Sequence, residues 1–200
     1  MRIGILGGTY DPMHVGHLAI AQTAVAALAL DQLLIIPSRT PPHKPAPATT
    51  PAQRLDMCRL TCADIRQCVV SDIELQRSGP SYTIDTLREL ARPSRQLLLL
   101  LGVDAVQILP QWYAADQIGQ YAELVIVPRS GSDALLGDHV AAALPSLQGR
   151  IQSIAGPGIA VSSSDIRDRC ARGLSIDGLV HPAVARYIAT HQLYRTHPNT

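Results

Sequence analysis

The chain has 200 residues, 46% of them hydrophobic, and carries 17 basic and 16 acidic side chains for a formal net charge of +1 at pH 7. That length and apolar content suffice to bury the core of one α/β domain without metals or disulfides. So even a charge balance lacks the clustered cations of a nucleic-acid binder, and it points to a small ligand.

Apolar runs of four to six residues alternate with longer stretches of helical period, the pattern of βαβ units and a mainly parallel sheet. A strand over 2–6 is followed by a helix over 16–29 and a strand over 33–36. The next stretch, 37–51, holds Pro37, Pro41, Pro42, Pro45, Pro47 and Pro51, six of the 15 prolines, so it is neither a helix nor an inner strand. Loops of this length inside a compact domain are usually functional or disordered, and its place after the second strand favours function. Thr50 then N-caps a helix over 51–65 that opens on Pro51. A strand at 69–72, a helix at 82–91, a strand at 96–101, a helix at 103–109, a strand at 124–127, a helix at 134–144 and a weaker strand near 151–154 follow. Helices over 164–172 and 182–190 close the chain, the second opened by Pro182 behind His181. The expectation is an α/β fold with a single doubly wound, mainly parallel sheet. It forms one domain over 1–200, with a sheet core at about 1–160 and a small C-terminal helical part at about 161–194.

No internal repeat or domain linker is visible. Cys58, Cys62, Cys68 and Cys170 lack C-x-x-C spacing and no secretory leader precedes them, so they read as buried or half-buried thiols in a reducing cytoplasm. The apolar runs fall far short of the roughly 20 residues that a membrane span needs, so no membrane partner is expected.

The first chemical motif joins strand one to helix one: Gly7-Gly8-Thr9-Tyr10-Asp11-Pro12-Met13-His14-Val15-Gly16-His17. It falls at the carboxyl edge of the sheet, where open α/β folds bind ligands. Adjacent glycines let a phosphate chain approach the backbone, the N–H groups of a helix start attract anions, and Thr9 adds a hydroxyl. His14 and His17, three apart, project to one side, with Gly16 keeping the surface between them low. A G-x-G-x-x-G dinucleotide fingerprint does not fit Gly4, Gly7 and Gly8. A second motif, Val161-Ser162-Ser163-Ser164-Asp165-Ile166-Arg167, follows a Gly/Pro turn and opens a helix. Its serines serve as caps or as a second anion site, and Arg167, four residues after Ser163, brings a guanidinium fork for phosphate oxygens.

These motifs resemble the G-G-[ST]-F-D-P-x-H-x-G-H and I-S-S-T-x-I-R elements of the nucleotidyltransferase superfamily, with Tyr10 for phenylalanine and Ser164 for threonine. The resemblance implies a Rossmann-like nucleotidyltransferase fold that binds ATP through Gly7, Gly8, Thr9, His14, His17, Ser162, Ser163, Ser164 and Arg167. It also implies that His14, His17 and Arg167 stabilise charge on the attacked phosphorus and on the leaving pyrophosphate, with no covalent enzyme intermediate. Mg²⁺ is expected chiefly on the ATP phosphates. Asp11 reads either as an aid to that ion or as a buried turn-stabilising residue.

The acceptor is read from other segments, which resemble bacterial nicotinate mononucleotide adenylyltransferases. Pro41-Pro42-His43-Lys44 is similar to that family's P-P-H-[KR] element, and Lys44 is the chain's only lysine. The resemblance gives its cation the acceptor phosphate; an ordinary solvated lysine is the alternative. Gly79-Pro80-Ser81-Tyr82-Thr83-Ile84-Asp85-Thr86-Leu87 is similar to the P-S-Y-T-x-x-T-L segment, which implies that Tyr82 and Thr83 face the pyridine carboxylate. Read alone, it is a capped helix start. Gly102-Val103-Asp104 matches the family's G-x-D, and Trp112-Tyr113 its aromatic pair beside the nicotinate ring, although Trp112 also suits a core position. Arg129 after the fifth strand is implied at the ATP phosphates. Val184, Tyr187, Ile188, Leu193 and Tyr194 follow the family's closing pattern and read as packing of the last helix.

The expected partners are therefore the small molecules ATP and nicotinate mononucleotide, with the choice between monomer and homo-oligomer open. Transfer to phosphopantetheine or nicotinamide mononucleotide is the alternative. A regulator without turnover conflicts with intact His14, His17 and Arg167, and a class I aminoacyl-tRNA synthetase needs an anticodon-binding domain for which there is no room.

Overall fold

The computed structural model describes residues 1–42, 45–128, 136–156 and 158–195. Six parallel strands, β1 (Arg2–Gly8), β2 (Gln32–Pro37), β3 (Cys68–Val70), β4 (Gln96–Gly102), β5 (Ala122–Val127) and β6 (Ile151–Ser153), form one sheet in the order β3-β2-β1-β4-β5-β6. The helices are α1 (Val15–Ala27), α2 (Pro51–Cys62), α3 (Thr83–Leu90), α4 (Val103–Gln107), α5 (Ile118–Tyr121), α6 (Leu136–Ala143), α7 (Ser163–Ala171) and α8 (Pro182–Thr190). The chain winds outward from β1 to β3, then crosses back to lay β4 on the other side of β1. The carboxyl ends of β1 and β4 thus diverge into the crevice where doubly wound folds bind ligands.

The apolar runs of β1, β2, β4 and β5 are continuous because both faces of these inner strands are covered. Along β4, Leu97, Leu99 and Leu101 face one core layer, which includes Ile84 and Leu87 of α3 and Val140 of α6. Leu98 and Leu100 face the other, which includes Ala21 and Ala24 of α1 and Cys58 and Cys62 of α2. That alternation is the period of two of a pleated strand. A third, smaller core joins Met57 of α2 to Ile166 of α7 and to Val184 and Ile188 of α8, which seats the C-terminal helices on α2.

Several sequence expectations change. Gly7 and Gly8, read as the start of the loop, are the last residues of β1, paired with Ile36 and Pro37 of β2. The helix expected over 51–65 ends at Cys62, and the one expected over 103–109 ends at Gln107, ahead of a 3₁₀ turn at Leu109–Gln111. The strand expected at 69–72 shrinks to Cys68–Val70 at the sheet edge. Residues 134 and 135 of the helix expected over 134–144 lie outside the described residues. Among the described residues no helix is long and apolar enough to cross a membrane.

Candidate active site

The loop leaving β1 is shaped from within. Tyr10 adopts a positive φ of 53°, is 2% exposed, and donates its hydroxyl to the Leu6 carbonyl at 2.7 Å. A Cβ on Gly8 would stand 2.9 Å from the Tyr10 ring, so Gly8 exists to admit that ring. A Cβ on Gly7 would meet only the Ile36 carbonyl, at 4.0 Å.

His14 is the N-cap of α1, with extended backbone, and His17 lies one turn into the helix. Their rings stack with centroids 3.8 Å apart, and His17 meets the edge of Tyr10 at 5.0 Å. A Cβ on Gly16 would come within 3.1 Å of the His14 ring, so this glycine gives the ring its place over the helix start. The His14 backbone N–H donates to Nδ1 of His17 at 3.3 Å. A neutral imidazole that accepts at Nδ1 carries its proton on Nε2, and His17 therefore presents Nε2–H as a donor beside a helix N-terminus.

The second motif folds onto the first. Ser162 caps α7, its Oγ accepting from the Asp165 N–H at 3.1 Å. Ser163 Oγ donates to the Pro12 carbonyl at 2.9 Å, and Arg167 Nη1 donates to the Asp11 carbonyl at 2.8 Å. Ser164 Oγ lies 3.3 Å from Ser162 Oγ. Two helix starts expected to grip an anion from separate places are thus joined through the cis Asp11–Pro12 peptide. One donor of Arg167 is used by the protein, and its other N–H groups meet no acceptor among the described residues.

Asp11, 3% exposed, accepts from Thr49 Oγ1 at 2.6 Å and the Tyr194 hydroxyl at 2.8 Å on Oδ1, and from the Ala48 N–H at 2.7 Å on Oδ2. Burial and the adjacent Asp11 charge hold the Tyr194 phenol well above its usual range, so it remains a donor. The carboxylate is a tie between the phosphate loop, the end of the proline-rich loop and the C-terminal segment, with both oxygens engaged by protein donors. Tyr194, expected only as helix packing, is part of this tie. Among the described residues no group of three or more His, Cys, Asp or Glu could hold a metal.

Two of the acceptor segments meet, at Tyr82 and Tyr113. Tyr82 is the N-cap of α3, and its ring lies 4.5 Å from that of Tyr113, which is 57% exposed. Tyr82 and Trp112 both pack partly buried against the larger core, and Tyr113 is the exposed ring of the three. Thr83 is the first residue of α3, and Asp104 is exposed in the first turn of α4, just past the end of β4. His43, Lys44 and Arg129 lie outside the described residues.

Two residues of this region were not singled out in the sequence. Arg54 of α2 is fully buried and donates through Nη1 to the carbonyls of Thr9 and Ser38, at 2.8 and 2.5 Å, and through Nη2 to that of Arg39 at 3.2 Å. Burial pushes its pKa down and the Asp11 charge pulls it back up. The signal was present: Arg54, Met57, Cys58 and Thr61 are spaced i, i+3, i+4, i+7, so an arginine sits on the buried stripe. The second is Glu74, 7% exposed between β3 and α3, in a stretch that carries no periodicity.

A family model described as cytidylyltransferase-like matches residues 5–169. The chain is 43% identical over 198 residues to a probable nicotinate-nucleotide adenylyltransferase of Synechococcus sp. (strain JA-3-3Ab), covering 96% of this chain and 94% of that one. It is 45% identical over 195 residues to a protein of the same description from Roseiflexus sp. (strain RS-1), covering 96% and 98% of the two chains. Among solved structures, that of Plasmodium falciparum nicotinic acid mononucleotide adenylyltransferase complexed with NaAD aligns with a TM-score of 0.78 at 20% identity, over 96% of this chain and 97% of that one, which is a likeness of fold.

Proposed function

The chain belongs to the nicotinate-nucleotide adenylyltransferase family, within the cytidylyltransferase-like proteins, and from that premise we propose that it transfers the adenylyl group of ATP to nicotinate mononucleotide. The products are nicotinate adenine dinucleotide and pyrophosphate, as one step of NAD biosynthesis in the cytoplasm. The observation that carries the reaction type is the stacked His14–His17 pair at the carboxyl end of β1, on the same loop that Ser163 and Arg167 hold from α7.

In this reading a phosphate oxygen of the mononucleotide attacks the α-phosphorus of ATP. The new P–O bond forms as the bond to the β-phosphate oxygen breaks, and the electron pair leaves with pyrophosphate. His17 donates Nε2–H toward the phosphoryl oxygens, His14 packs and orients it, and the remaining Arg167 donors meet the developing charge. Gly7, Gly8, Thr9, Ser162, Ser163 and Ser164 line the ATP side, Gly8 also seating Tyr10, and Arg129 is assigned to the ATP phosphates. Bound with ATP, Mg²⁺ neutralises triphosphate charge. The engaged oxygens of Asp11 do not fit the ion, so it is assigned to the phosphates. On the acceptor side, His43, Lys44, Tyr82, Thr83, Asp104, Trp112 and Tyr113 receive the mononucleotide, with the paired Tyr82 and Tyr113 rings beside the pyridine ring. A single nucleotidyltransferase domain over residues 1–200 belongs to the same proposal, supported by the seating of α7 and α8 on α2.

Purified protein given Mg²⁺ and ATP is expected to release pyrophosphate when nicotinate mononucleotide is added, followed in a coupled phosphate assay. Equal or faster release with phosphopantetheine would reassign the acceptor.

A further inference from the structure

A buried carboxylate away from the reacting atoms holds the acceptor side together. Glu74 Oε1 accepts from Thr86 Oγ1 at 2.8 Å; burial pushes the carboxyl's pKa up, and Thr86, Arg77 and the neighbouring Ser81 hydroxyl pull it back down. Ser81 Oγ accepts the backbone N–H groups of Arg39 at 2.9 Å and Thr40 at 3.3 Å. Thr86 Oγ1 accepts from Arg77 Nη1 at 2.8 Å and gives its hydrogen to Glu74. Arg77 is held in turn by Glu89 of α3, Nε to Oε2 at 3.2 Å. The carboxylate, Ser81 and Thr86 are 7%, 8% and 1% exposed.

The placement gives this network its meaning. Ser81 immediately precedes the N-cap of α3, and Thr86 lies one turn beyond it, so Glu74 holds the far end of the first turn of α3 while Ser81 holds its start. Ser81 fixes the backbone of Arg39 and Thr40, where the chain leaves β2 for the proline-rich loop; the Ser81 N–H to Thr40 carbonyl bond at 2.9 Å closes the same junction. An ionised carboxylate offers only acceptors to the Thr86 hydroxyl and to its neighbours, whereas an amide brings a donor into the same space.

We propose that Glu74 is a positioning residue for the acceptor nucleotide, holding through Thr86 the first turn of α3, which Ser81 ties to the entrance of the proline-rich loop, so that Tyr82 and Thr83 meet the pyridine ring. This rests on the acceptor reading given above. The ATP side is tied by other groups, Asp11, Ser163 and Arg167, so the two substrates respond differently when Glu74 is changed.

In the full-length chain, Glu74→Gln is expected to raise KM for nicotinate mononucleotide about tenfold or more while KM for ATP stays within about twofold, as displacement of a binding turn by a fraction of an ångström requires. Thr86→Val removes one arm and is expected to raise the same KM, whereas Thr86→Ser, which keeps the hydroxyl, stays close to wild type. If Glu74→Gln does not fold, the Thr86 pair decides. A lowered thermal midpoint with both KM values unmoved, or a parallel rise in both, would make the network merely structural and overturn the proposal. The wild-type assay separates this from the functional reading: no turnover of nicotinate mononucleotide removes both, and wild-type turnover with unmoved variants removes this inference alone.

Discussion

His17→Ala is expected to lower kcat about a hundredfold with both substrates saturating, the scale on which a preorganised donor to a charged transition state acts. The expectation rests on three local facts: His17 carries its proton on the nitrogen remote from the backbone, its ring is fixed between His14 and Tyr10, and it stands at a helix N-terminus. A donor held so firmly pays little to reorganise when charge builds on the phosphorus. The alanine variant also frees the His14 N–H and loses the ring stack, a stability loss of about 1 kcal/mol, typical of a lost helix cap. Thermal melting beside steady-state kinetics distinguishes the two effects. Wild-type kcat in this variant would remove His17 from the mechanism.

Arg54→Met is expected to cost about 3–5 kcal/mol of folding stability, the range for deleting one partner of a buried charged network. Methionine matches much of the arginine stem and can pack in its place. It cannot donate, and the carbonyls of Thr9, Ser38 and Arg39 would each lose a buried donor, at about 1–3 kcal/mol for a group left without any partner. Asp11 would also lose the cation that opposes it. Since whole domains are stable by only about 5–15 kcal/mol, this one change takes a large share. Urea unfolding with an unchanged slope should report it, and a loss under about 1 kcal/mol would show that the buried guanidinium is replaceable.

The strands were legible because burial on both faces writes them as uninterrupted apolar runs, and the proline-rich loop because six prolines forbid regular structure. The end of β1 was not: Gly7 and Gly8 are poor strand formers, and only the ladder to Ile36 and Pro37 keeps them in the sheet. The four-residue α5 and the 3₁₀ turns are too short to show a period. The order of the strands depends on where β4 crosses back, which no local pattern encodes. In the site, the two-histidine motif was visible because it is contiguous. Arg167 was readable as a cation on a helix start, yet its bond to the Asp11 carbonyl spans 156 positions and exists only in the folded chain. The roles of Arg54 and Glu74 are hidden for a related reason, since their partners are carbonyls and a hydroxyl on segments brought together by tertiary packing.

The central claim, that the acceptor is the nicotinate nucleotide, meets its most direct test in a side-by-side measurement of kcat/KM for nicotinate and nicotinamide mononucleotides under one ATP concentration. A helix start facing the pyridine ring, as the proposed acceptor site has it, favours a carboxylate over an uncharged amide. The account predicts a preference for nicotinate of about tenfold or more, as sites built around a charged group discriminate. Equal values, or a preference for the amide, would contradict it.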